Sequence, residues 1–464
     1  MAAQQGAQNH PEILFIVDNE NASHCEKNAT RRRPVPQSFP SRRVISGGYT
    51  CYARDPMLCG VDQLLAGPLS TLRRRIRSSR VGLLTHAAAI DRRGRPTREV
   101  LEELGVSLRV LFAPEHGLDA DAQAEVAVPS VERTEGDASL PPVVSLYGKT
   151  REELVPRPEH LAELDLLVID LADVGARYYT YVWTALLAAR AARAANIHTV
   201  VLDRPNPISG DPVTLEGTPQ EPEFLSFVGL EPLPIRHALT LGEILASFFE
   251  RDGHALGADG ALSVAPVLGW ERHRTAIAWG RPFVMPSPNM PSLETALVYP
   301  GGCLLEGTNL SEGRGTTAPF QIVGAPFLDG SALAKSLTEA GVPGALVRPV
   351  TFRPTFEKHA GERCHGVMLH VSNPDLFRPV ATYLSLIALA RAQAPERFEF
   401  RSSPYEFETT LPAFDLLTGS AKTREALLAG AAPEEVVALV APVDPSWRER
   451  VLEAEARVAR AASA

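Results

Sequence analysis

Cysteine is scarce in this chain. Its 464 residues include only Cys25, Cys51, Cys59, Cys303 and Cys364, with no Cys-x-x-Cys pair and no spacing that suits a disulfide framework, so a reducing compartment is the natural fit. Positive charge is not in excess. A formal net charge of −9 gives no sequence-wide attraction to nucleic acid or to anionic membrane surfaces, and neither is expected as a partner. Arginine is dense at Arg31 to Arg33 and at Arg73 to Arg80, but the first stretch looks disordered and the second reads as a solvated helix face. No stretch reaches the roughly 18 apolar residues needed to span a membrane, and Met1 to Ala29 shows no basic start followed by an apolar run of signal-peptide length. As written the chain is expected to be cytoplasmic, with export the alternative if its natural start differs.

Several phosphate and nucleophile motifs are also missing. The first strand is followed by Thr85-His-Ala-Ala-Ala-Ile90 rather than Gly-x-Gly-x-x-Gly, and there is no Walker-type loop, which disfavours dinucleotide and nucleoside triphosphate chemistry. The absence of a Gly-x-Ser-x-Gly elbow weakens a serine-esterase reading. No cofactor is implied. No metal is expected either, since no second histidine or cysteine stands at ligand spacing from His116, and His365 and His370 lie five apart on one predicted strand and face opposite sides.

What is present is a long globular pattern. Residues 1 to 60 mix Gln, Asn, Arg, Pro and Ser with little periodicity and read as a disordered extension. From there to about residue 260 short apolar runs alternate with helical patterns: Val81 to His86, Leu108 to Phe112, Leu166 to Asp170 and Thr199 to Asp203, with helices over 97–104 and 184–195. Continuous apolar strands imply a sheet buried on both faces, hence an α/β fold with a Rossmann-like, mainly parallel sheet. Residues 261–464 turn to Pro/Gly-rich loops, strands over 346–352 and 366–371, and helices near 378–393, 422–441 and 446–461. They read as a second, smaller α+β domain completing an interdomain pocket.

In parallel α/β sheets ligands bind outside the carboxyl ends of the strands. Those positions hold Glu115, Asp170, Asp173 and Asp203. Converging carboxyl groups are what glycosidic cleavage needs, one to protonate the leaving oxygen and one to attack or to activate water. Glu115, in the turn Ala113-Pro-Glu-His-Gly117, is the first choice for the acid; a capping role is the alternative, and Asp170 has a stronger claim to a purely structural role. His116 stands either to orient Glu115 or as a satisfied structural histidine, with metal binding the least favoured reading. Two later loops, Pro286 to Glu294 and Leu305 to Thr317, supply Asn289, Glu306, Asn309, Glu312 and Arg314 between prolines and glycines. Arg177, Arg204, Arg236 and Arg314 are candidates for a bidentate contact with a carboxylate-bearing sugar.

Taken together, Phe112 to Gly117 with Asp121 to Gln123, Leu146 to Lys149, Asp170 to Tyr181, Leu202 to Gly210, Pro286 to Pro291 and Glu306 to Thr317 resemble, in the same order, the motifs of the NamZ-type exo-β-N-acetylmuramidases, long a bacterial domain of unknown function. The resemblance implies a glycoside hydrolase that removes N-acetylmuramic acid from the non-reducing end of peptidoglycan fragments, in an interdomain pocket, with the glutamate of Pro-Glu-His-Gly, here Glu115, as the catalytic residue. The second catalytic group is left among Asp173, Asp203 and Glu312. The substrate-binding set is Asp170, Arg177, Tyr178, Tyr179, Arg204, Asn206, Asn289, Glu306, Asn309 and Arg314. The family's Thr-Asn-Gln-Thr-Gly after the first strand is replaced by Thr85-His-Ala-Ala-Ala89, which keeps open a different acidic amino sugar as substrate, beside a binding protein without catalysis.

Overall fold

Runs of consecutive apolar residues without polar alternation need cover on both strand faces, and that is where the first half of the chain places them. The computed structural model describes residues 57–462 apart from 68, 132–140 and 403. β1 (Arg80–Thr85), β2 (Ser107–Ala113), β3 (Val143–Ser145), β4 (Leu166–Asp170), β5 (His198–Leu202) and β6 (Leu262–Ala265) form one sheet in the order β3-β2-β1-β4-β5-β6. Every pairing in it is parallel. Because successive strand residues point to opposite faces, Val81, Leu83, Leu166, Val168, Val200 and Leu202 join Leu64, Ile76, Val100 and Leu101 on one side. Leu84, Leu167, Ile169 and Val201 belong to the other, with the helix Tyr181–Ala194.

The expected strands and helices of this half are all found within three residues of their expected ends. Two strands were not foreseen: β3 is only three residues long, and β6 begins at Leu262, so the first sheet runs past residue 260. The expected disordered segment falls mostly on residues outside those described, as do Cys25 and Cys51. Its last four residues belong to the fold: Leu58 bridges to Leu268 and Gly60 opens the helix Gly60–Ala66.

The second half carries β7 (Ile322–Ala325), β8 (Ala345–Phe352) and β9 (Cys364–Val371) in an antiparallel sheet of order β7-β9-β8. Helix Gly330–Ala340 packs on it and helix Pro379–Gln393 packs against that helix, and the apolar core of the first sheet's second face continues into both without a break. The helix expected over 422–441 is two helices, Lys422–Ala429 and Pro433–Val440. Gly430 at φ +83° ends the first in the left-handed conformation that favours glycine, and Pro433 starts the second. Strand order reverses between β1 and β4, so the crevice for a ligand lies at the carboxyl ends of β1, β2, β4 and β5.

Candidate active site

Glu115 leaves β2 through a tight turn in which the Gly117 amide donates to the Pro114 carbonyl at 3.0 Å, with His116 at φ +69° and Gly117 at φ +82°. The left-handed pair turns the chain sharply enough to bury Glu115 at the strand end. Its carboxyl accepts hydrogen bonds from the Thr180 hydroxyl at 2.6 Å and from the Glu125 amide at 3.3 Å. The His116 Nδ1 lies 2.7 Å from the Ala122 carbonyl, which only accepts, so Nδ1 carries the hydrogen in this arrangement.

Thr180 belongs to the segment that follows β4. Tyr178 there donates to the Pro300 carbonyl, and Tyr181 donates to the Pro286 carbonyl at 2.6 Å. These two bonds fasten the strand-end segment to the second half of the chain. The Tyr179 hydroxyl is buried without a well-formed hydrogen bond, beside the Ser287 and Tyr181 hydroxyls.

The segment 303–317 brings Glu306 and Arg314 to the same cavity as Glu115. Glu306 accepts from Arg314 Nη2 at 2.6 Å and from the Tyr405 hydroxyl at 2.7 Å. Arg314 Nε lies 3.2 Å from Glu312, which also takes Lys358 Nζ at 3.0 Å, and the guanidinium sits 5.2 Å over the Phe320 ring. Glu115, Glu306, Glu406 and Arg314 thus line one cavity together with His116, Tyr178, Tyr179, Asn289 and Tyr299. Asn289 is held by Gln123, whose Oε1 accepts from its Nδ2 at 2.7 Å.

Glu406 is buried and its Oε2 accepts from the Tyr147 hydroxyl at 2.9 Å. Burial, and then the negative charges of Glu115 and Glu125, push its carboxyl well above the usual carboxylate range, against the pull of the Tyr147 hydrogen bond. Among the described residues no group of three or more His, Cys, Asp or Glu is placed to hold a metal ion, and no helix is long and apolar enough to cross a membrane.

The two parts of one sequence family meet at this cavity. Residues 81–294 match the N-terminal part, and residues 297–454 the C-terminal part, of exo-beta-N-acetylmuramidase NamZ. The chain is 40% identical over 427 residues to the peptidoglycan beta-N-acetylmuramidase NamZ of Bacillus subtilis (strain 168), covering 92% of each. The chain belongs to the NamZ family. A solved DUF1343 family protein of Bacteroides fragilis NCTC 9343 shares the fold with a TM-score of 0.72 at 28% identity, over 87% of this chain and 98% of that one. A second from the same organism has a TM-score of 0.60 at 23% identity, over 88% and 99%.

Within this NamZ-family frame, seven of the residues singled out from sequence line the cavity: Glu115, His116, Tyr178, Tyr179, Asn289, Glu306 and Arg314. The others lie elsewhere. Asp170 pairs with the buried Arg204 and accepts from Thr97 at 2.5 Å, which ties β4 to the helix Thr97–Glu103. Asp203 accepts from the Thr240 hydroxyl at 2.6 Å and the Gly242 amide at 2.9 Å, capping the helix Leu241–Arg251, and burial pushes it up to about 7. Arg177 is fully buried, its fork spent on the carbonyls of Thr218, Leu233 and Leu417. Arg236 likewise donates to the Ile208 and Phe377 carbonyls.

Asn206 and Asn309 brace backbone, and the Glu312 carboxylate stands behind Arg314 rather than in the cavity lining. Asp173 holds the Gly175 amide at 2.7 Å and lines a neighbouring cavity with Arg204 and Trp279. The sequence reading missed Thr180, Ser287, Tyr299, Phe320, Tyr405 and Glu406. Thr180 was within reach, since it lies in the stretch Asp170 to Tyr181 directly after Tyr178 and Tyr179. Tyr405 and Glu406 follow no strand and stand in no glycine-flanked loop.

Proposed function

We propose that the protein is a glycoside hydrolase that removes N-acetylmuramic acid from the non-reducing end of peptidoglycan fragments, with Glu115 supplying a catalytic carboxyl group. The observation that carries this reading is the cavity itself, in which a buried Glu115 from the N-terminal family half faces Glu306 and Arg314 from the C-terminal half. Carboxyl groups on two sides of one site are the equipment of glycosidic cleavage. A cavity closed by Tyr178, Tyr179, Tyr299 and Phe320 suits a chain end rather than a chain interior.

Arg314 uses Nε and Nη2 on the two glutamates, and among the described residues its Nη1 takes no protein partner. That leaves a donor for the carboxylate by which muramic acid differs from glucosamine. The departure at Thr85 to Ala89 does not reach the cavity, since none of those residues lines it; His86 is turned inward, accepting from the Ala172 amide at 2.9 Å. Release of single sugars from fragments fits a role in recycling wall material.

The test compares chromophore release from an aryl β-N-acetylmuraminide and from the matching β-N-acetylglucosaminide, with wild type and Glu115→Gln. Muraminide-selective release that disappears in the mutant is the expected result. Release from neither would favour a muropeptide-binding protein, and release retained by the mutant would remove Glu115 from the chemistry.

A further inference from the structure

Cleavage with a pair of carboxyl groups needs one that keeps a proton and one that does not, and their environments decide which is which. Both hydrogen bonds to Glu115, from Thr180 and Glu125, come from donors and suit a charged carboxylate. Glu406 is differently placed. Its Oε2 is occupied by the Tyr147 hydroxyl, and among the described residues its Oε1 takes no protein hydrogen bond, although the residue lines the same cavity as Glu115. The backbone fixes it there: Glu406 and Phe407 stand at φ +45° and +66°, and the Tyr405 amide and carbonyl pair with Glu408 on either side. A buried side chain held in a left-handed turn, with one oxygen anchored and the other without a protein partner among the described residues, is fixed in the cavity wall beside Glu115.

We propose that Glu406 is the second catalytic carboxyl group of the pocket and holds the proton taken by the departing sugar oxygen, with Glu115 as its charged partner. This rests on the muramidase reading and moves the acid role expected of Glu115 to its neighbour. The groups facing Glu406 support the assignment. Glu115 and His116 come from the end of β2, Glu125 from the loop beyond it and Glu306 from the segment 303–317, a surplus of negative charge. The nearby cations are already engaged, Arg314 by Glu306 and Glu312 and Arg401 by Glu125 at 2.8 Å, while Lys149 lies in the outer cavity beyond Tyr147. Burial and that surplus together disfavour a second charge on Glu406.

The step balances over a full turnover. The electron pair of the bond between C1 and the glycosidic oxygen leaves with the oxygen, which takes the proton from Glu406. Water supplies the new oxygen on C1, and its remaining proton returns to the carboxyl pair. Glu406 also lines a second, outward-facing cavity with Lys149 and Phe407, so the pair can exchange that proton with solvent from the side away from the sugar.

The decisive measurement compares two substrates that share the N-acetylmuramyl group but whose leaving groups differ widely in their need for a proton: the disaccharide N-acetylmuramyl-β-1,4-N-acetylglucosamine and 2,4-dinitrophenyl β-N-acetylmuraminide. Glu406→Gln is expected to lower kcat/KM for the disaccharide about 10²–10⁴-fold and for the activated aryl glycoside less than about tenfold. Equal losses on both substrates would overturn the proposal, because a structural or binding role has no reason to sort them by leaving group. Tyr147→Phe provides a second reading, should Glu406→Gln fail to fold. Loss of a donor to the charged form should move the alkaline limb of kcat/KM to higher pH, and an unmoved limb refutes the assignment. Wild type inactive on both substrates would instead count against the muramidase reading itself.

Discussion

Replacing Gly175 by alanine should destabilise the protein far more than the same change at Gly94, although the two glycines have nearly the same backbone conformation. Gly175 stands at φ +83° and Gly94 at φ +82°. A left-handed conformation costs an L-residue about 1–2 kcal/mol, and that is the whole expected effect at Gly94, where a Cβ would meet nothing within 4 Å. At Gly175 the Cβ would lie 2.4 Å from Asn206 Oδ1 and 2.8 Å from Ile208 Cγ1. Asn206 cannot swing aside freely, because its Nδ2 donates to the Leu239 carbonyl at 3.1 Å and its Oδ1 accepts from the Ile208 amide at 3.1 Å. Overpacking of this kind adds about 1–3 kcal/mol, for a total of about 2–5 kcal/mol at Gly175. Urea unfolding of the two single mutants measures the difference as a shift in midpoint at constant slope. If Gly175→Ala came within about 0.5 kcal/mol of Gly94→Ala, the close approach of Asn206 to the strand-end segment would be refuted.

Two further outcomes are expected. Arg314→Ala should raise KM for a muraminide about 10–150-fold, the worth of charge-assisted hydrogen bonds of about 1.5–3 kcal/mol, with a smaller change in kcat; an unchanged KM would take the arginine out of sugar binding. Asp203 and Glu216 are fully buried and each pushed up to about 7, above their ordinary 3.8 and 4.5. Groups raised in the folded state contribute stability that is complete below their ordinary values and fades as pH rises through the raised ones. The buried His86, pulled down to about 3 from its ordinary 6.5, acts in the opposite sense but only below about 6.5. Stability should therefore fall from about pH 6.5 to about pH 8, and urea midpoints that rise over that window would contradict the burial of the two carboxyl groups.

The sequence was most informative where one physical demand dominates. β1, β2, β4 and β5 are read easily because burial on both faces leaves no polar residue inside the run, whereas β3 and β6 are three and four residues long and give periodicity no room to show. The same strand-end rule that singled out Glu115 also singled out Asp170 and Asp203, and here it does not discriminate. A carboxylate at a strand end can face the crevice or turn back to satisfy amides and guanidinium groups; Asp170 and Asp203 turn back. Arginine was similarly ambiguous. Arg177, Arg236 and Arg314 look alike in sequence, but two of them donate to buried carbonyls and only the third lines the cavity. Glu406 was beyond reach because its position depends on a left-handed turn between non-glycine residues, which no turn residue announces.

The cavity has walls from the end of β2, the segment after β4, the segment 303–317 and the turn at Tyr405–Glu406. Three of its polar cross-ties, Thr180 to Glu115, Tyr405 to Glu306 and Tyr147 to Glu406, join stretches far apart in the chain. No local piece of the polypeptide contains a rudimentary version of the site that could act alone. The site is assembled only when these long-range contacts have closed, so a pocket of this kind is a property of the completed fold rather than of any one segment.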